Sequence, residues 1–132
     1  MGTQAQLMVT TDDPEAGNAA LLRSAEDLAA TERALSRFAE DSDLSRLNHT
    51  KVWVTGDRLL TGVEKAIEAY EWSDGLLDPR VVDALEKFGY QNGVPTGDVG
   101  EVEPAGALAR VDMRAWIGEQ GKVSLPPAFA LI

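Results

Sequence analysis

The densest chemistry in the sequence lies between Leu35 and Asn48, read LSRFAEDSDLSRLN. It gathers the ring of Phe38, the carboxylates of Glu40, Asp41 and Asp43, the guanidinium groups of Arg37 and Arg46, and the hydroxyls of Ser36, Ser42 and Ser45. That is more polar chemistry than a simple loop needs. The arginines could offset an anionic ligand, as could a helix N-terminus or a divalent cation. The segment falls where a long helical pattern breaks and a short one begins, so helix caps and junction bonds compete for the same groups. Two further groups stand out. Glu32 interrupts an apolar helix stripe, where a buried carboxylate must find donors or take a proton, and it reads as an edge glutamate paired with Arg33 or Arg37 or bonded to backbone donors. His49, the sole histidine, falls between elements in a loop and receives no role.

The elements that must position these groups are legible from periodicity. Met1 to Thr11 alternates small or polar with apolar residues, the pattern of a half-buried strand. Asp13 is an N-cap and Pro14 a first helical residue. From Glu15 to Phe38, Leu21, Leu22, Ala25, Leu28, Ala29, Leu35 and Phe38 recur at three- and four-residue steps, which predicts a long amphipathic helix with this face on the core. Ser42 caps a short helix through Asn48, Lys51 to Thr55 is a strand, and Thr55 caps a second long helix with the stripe Leu59, Leu60, Val63, Ala66, Ile67 and Tyr70.

Further on, Ser73-Asp74-Gly75 is a turn, Asp78 an N-cap, Pro79 a first-turn residue, and Val81, Val82, Leu85 and Phe88 a helix stripe ending at Gly89. Asp78 thus has a sufficient structural task of its own. Residues 91–106, with four glycines and two prolines, read as a flexible loop. Residues 109–118 and 121–125 read as two strands around a turn at 119–121. The run Ala128 to Ile132 (AFALI) reads as a strand cut short, hence as part of something longer or as an edge that a partner or a second copy covers. The sum is one α+β domain over residues 1–132, helices packed on a mostly antiparallel sheet, expected to be incomplete.

Bulk properties narrow the function. The 132 residues carry a formal charge of -10, from 22 acidic against 12 basic residues, a field that repels nucleic acid. No apolar run approaches the roughly 18 residues of a membrane span. Cysteine is absent, which removes disulfides, thiolate sites and sulfur-linked lipid. Nothing fixes the compartment, and the sequence by itself reads as cytoplasmic. Nucleotide-binding glycine motifs, HExxH, GxSxG and CxxC are all missing.

Three segments nevertheless carry a resemblance: MGT at Met1 to Thr3, LSRF followed by SDLSRLN, and DGLLDPRV followed by LEKFGY. In this order and spacing they resemble the FAD:protein FMN transferases, the ApbE-like flavin transferase family. The resemblance runs over nearly all of the chain but looks like the N-terminal portion of such an enzyme. It implies a transferase that moves the FMN part of FAD to a threonine of a target flavoprotein, with Mg²⁺ assisting pyrophosphate cleavage. It implies FAD contacts at Met1, Phe38, Leu76, Leu77 and Asp78. Phe38 stands where relatives carry tyrosine or tryptophan, so a polar contact there is missing, and core packing competes as an account of Phe38 and Leu77. The metal-binding residues are expected beyond Ile132, so no catalytic residue or metal ligand is assigned within this chain, and alone it is expected to transfer little or nothing. Relatives include exported lipoproteins, although no leader or lipid-accepting cysteine is visible here. Two other readings remain open: an FAD-binding module without transfer, and an interaction domain that uses its final strand.

Overall fold

The computed structural model describes residues 5–87, 90–91, 94–95, 110–127 and 129–132. They form four α-helices and two small antiparallel sheets, so the α+β class expected from the sequence is the one found. The strand content is smaller than expected, because each sheet has two strands and no strand exceeds three residues.

Helix α1 spans Pro14–Leu35, with Asp13 accepting hydrogen bonds from the backbone N–H groups of Glu15 and Ala16, as its cap position predicts. It stops short of Phe38. The Ser42 hydroxyl donates to the Ser36 carbonyl at 2.6 Å and draws the chain away at an extended Ser36. The apolar stripe assigned to the core is largely in solvent: Leu22 is 58% exposed, and Ala25, Leu28 and Ala29 are exposed with it. Helical periodicity defines a face but not what covers it. Here Leu35 at the C-terminal end reaches the core, while Arg58 joins the helix from outside through Asp27 at 2.6 Å. Glu32 is likewise exposed, not drawn inward.

The strand expected over Met1 to Thr11 is not formed by residues 5–11, and Met1 to Gln4 lie outside the described residues. Instead Val9 and Thr11 lie over the first turns of α1, where the Thr11 methyl fills the space a β-carbon on Gly17 would need. A strand without a neighbouring strand has no ladder to hold it.

Helix α2 spans Asp43–Thr50 and is capped by Ser42, whose hydroxyl accepts from the Ser45 N–H. It ends at Lys51, in the left-handed region at φ 63°. That stop comes late enough to keep His49 within the last helical turn, where a loop was expected. Strand β1 (Val52–Val54) confirms the alternating run and pairs antiparallel with β4 (Lys122–Ser124), setting Trp53 opposite Val123. Helix α3 spans Asp57–Trp72 and is capped by Gly56 rather than Thr55. The Thr55 hydroxyl is committed elsewhere, donating to the Gly121 carbonyl at 3.1 Å and tying the start of α3 to the turn before β4.

Helix α4 spans Val82–Lys87; Phe88 and Gly89, expected to end it, lie outside the described residues. Asp78 does not cap it, because its carboxylate is taken by Arg80 in the turn ahead. Within the run expected to be a loop, β2 (Tyr90–Gln91) pairs antiparallel with β3 (Val94–Pro95), and residues 92–93 and 96–106 lie outside the described set. Of the strand expected over 109–118, residue 109 lies outside the described residues; in its place over 110–118, Met113–Trp116 forms a 3₁₀ turn capped by Asp112, and Ile117 alone bridges to Val123. The cap competes successfully with the alternating pattern, and the three-residue step puts Met113 and Trp116 inward together. The turn at 119–121 is as expected, with Gln120 and Gly121 both at positive φ.

Residues 129–132 of the final run also form no strand, and Ala128 lies outside the described residues. The Asn48 side chain grips Leu131 from both sides, donating to its carbonyl and accepting from its N–H at 2.8 Å each, and the Ile132 N–H donates to the Pro79 carbonyl. An amide side chain thus supplies the pairing a neighbouring strand would give. Around this clamp a single core gathers Leu44 and Leu47 of α2, Leu59, Val63 and Ile67 of α3, Met113, Trp116, Val123, Leu125 and Leu131.

Candidate functional site

A closely hydrogen-bonded polar feature is the turn that carries Asp78. At the end of α3 the chain folds tightly: the Gly75 N–H donates to the Tyr70 carbonyl at 2.8 Å, and the Leu77 N–H donates to the Ser73 hydroxyl at 2.9 Å. Asp74 and Gly75 take positive φ, which glycine tolerates and aspartate adopts more readily than most residues. The turn presents Leu76 outward at 89% exposure, with Leu77 and Trp72 exposed beside it in sequence. Leaving three large apolar side chains in water is unfavourable unless something covers them.

Directly behind this outward loop the chain turns in. Arg80 is wholly buried at its side chain, Asp78 is 13% exposed, and the two form a forked ion pair. The Arg80 Nε donates to Asp78 Oδ1 at 2.9 Å and Nη2 to Oδ2 at 2.6 Å, while the Arg80 backbone N–H donates to Oδ1 as well. The guanidinium lies over the rings of Phe129, at 4.9 Å, and Tyr70, at 5.5 Å. Burial by itself would raise the Asp78 carboxyl, but the hydrogen bonds and charge of Arg80 outweigh it and hold that carboxyl below its ordinary value. The Asp78 carboxylate in turn raises Arg80.

Phe38 sits at the junction after α1, with its ring partly exposed and the Arg37 guanidinium over it at 4.2 Å from the ring centre. Arg37 pairs with Glu86 of α4 at 3.6 Å, so the junction is joined to the helix that follows the Asp78 turn. Between them runs an open groove of about 340 Å³ lined by Arg37, Ser45, Asn48, His49, Val82, Asp83, Glu86 and Ala130. The serines of the junction are spent on structure: Ser42 caps α2 and bonds Ser36, and Ser45 bonds the Ser36 and Arg37 carbonyls at 3.4 Å.

Of the residues singled out from the sequence, the structure thus shows Leu76 and Leu77 exposed, Phe38 partly exposed and Asp78 held in an ion pair. Met1 lies outside the described residues. Arg80 was missed, although its signal was present in the string DPR, where a cation two residues after an aspartate can return to it. Asn48, the clamp on Leu131, left no such signal. Among the described residues no three histidine, aspartate or glutamate side chains gather to hold a metal ion. The described residues therefore do not fit the Mg²⁺ that the resemblance implies, and no step is derived through it.

The model of the ApbE family matches residues 1–127, and the chain belongs to that family. At the family level this makes it a flavoprotein-related transferase, with flavin and a target flavoprotein as the partners the family suggests. No curated protein and no solved structure matches the chain. No helix among the described residues is long and apolar enough to cross a membrane.

Proposed function

We propose that the protein acts in FMN transfer from FAD to a threonine of a target flavoprotein, and that this chain contributes part of the FAD-binding wall. The single observation that carries the reading is the family match over residues 1–127. The exposed loop supports it: Leu76 and Leu77 offer an apolar surface in water, as a heterocycle-binding wall requires, and Phe38 offers a ring for stacking. Asp78 joins the wall through the turn it anchors, and Met1 through the MGT segment. Mg²⁺ would offset charge on the pyrophosphate when bound; this chain's residues are assigned binding and orientation, not that task. The strong net negative charge means that FAD phosphates must be met locally, and Arg37, which lies over Phe38 and pairs with Glu86, is a cation beside that ring.

The test is covalent flavinylation. The full-length protein is incubated with FAD, Mg²⁺ and a flavoprotein acceptor bearing the target threonine, and the denatured acceptor is inspected for bound flavin fluorescence. Labelling that disappears with a threonine-to-alanine acceptor is the expected result. An acceptor that stays unlabelled, with FAD saturating and acceptor folded, contradicts the reading.

A further inference from the structure

The Asp78 carboxylate offers about four lone-pair sites, and Arg80 fills three of them with two side-chain bonds and one backbone bond. Both oxygens are engaged and the group is almost covered. Little of it is left to meet a ligand. What the pair does instead is fix the backbone directly after Leu76 and Leu77, which are 89% and 54% exposed and have little burial of their own to hold them. Arg80 is in turn held by the faces of Tyr70 and Phe129, and Tyr70 also receives the Gly75 N–H on its carbonyl. The loop is therefore pinned at both ends by the same residue, through the Tyr70 carbonyl at Gly75 and the Tyr70 ring at Arg80.

We propose that Arg80 is a positioning residue for flavin binding: it consumes the Asp78 carboxylate as an anchor, so that Asp78 acts on FAD through Arg80 and the loop and not by contact of its own. The inference rests on the FAD-binding reading above. A direct contact and an anchor make different predictions for paired substitutions. Groups that act as one unit are non-additive, whereas independent contacts multiply their effects.

The experiment is a double-mutant cycle on FAD affinity, followed by flavin fluorescence, with Asp78→Ala, Arg80→Ala and the double variant, each checked for fold by circular dichroism. Each single substitution is expected to weaken FAD by about tenfold, and the double variant by about the same factor. Free guanidinium ion, added at millimolar levels below any denaturing effect, should restore affinity to Arg80→Ala and leave the double variant unchanged. A merely structural loss would not respond in this selective way. If Arg80→Ala does not fold, Arg80→Lys takes its place, since it keeps the charge and stem but loses the fork, and the same weakening is expected. Wild-type affinity in the folded Arg80 variants, or single effects that multiply to about a hundredfold in the double variant, would overturn the inference and leave the functional reading standing. A parent chain that binds no FAD would overturn both.

Discussion

At the scale of single residues, the structure separates side chains that hold the fold from those left to meet something else. Leu47 has no exposure and sits in the core beside Leu59 and Val123, so Leu47→Ala should cost about 2–5 kcal/mol in urea unfolding. Leu22→Ala, on the exposed face of α1, should change stability by less than about 0.5 kcal/mol. The Asp78–Arg80 pair makes a pH prediction with a definite sign. The folded carboxyl is held below its ordinary value, so its contribution is complete above the ordinary carboxylate range and is lost as pH falls through the folded value. Stability measured by thermal unfolding should therefore decline below about pH 4, with a shallower decline in Asp78→Asn. A variant as acid-sensitive as the parent would show that other carboxylates dominate.

At the scale of elements, two of the four expected capping residues hold. Asp13 and Ser42 bond the first free N–H groups of α1 and α2 as their residue types require. Other assignments failed where a second partner competed for the same atom. Thr55 turned to Gly121, and Asp78 turned to Arg80 before it could cap α4. Local pattern cannot register such a rival unless its position is known. The exposed stripe of α1 failed for a different reason, since periodicity does not reveal which face has a neighbour. The final run escaped strand form because Asn48, 83 residues away in sequence from Leu131, supplied its hydrogen bonds. Asn48→Ala should lose both bonds and cost about 1–3 kcal/mol, with faster hydrogen exchange at the Leu131 and Ile132 amides. Unchanged exchange there would mean that burial of Leu131 alone holds the run.

At the scale of the whole molecule, the α+β class and the family were both readable, the first from alternating periods and the second from three short motifs in order. For the candidate site, Leu76, Leu77 and Phe38 are exposed, and the anchoring of Asp78 by Arg80 required three dimensions. The central claim is that this chain presents a surface for FAD. Its most direct test is titration of the 132-residue chain into FAD while flavin fluorescence is followed, with Phe38→Ala and Leu77→Ala measured beside it. Saturable binding is expected, weakened by about tenfold in Phe38→Ala, the loss expected for one stacked ring. A signal that never saturates, or equal affinity in the parent and both variants, would contradict it.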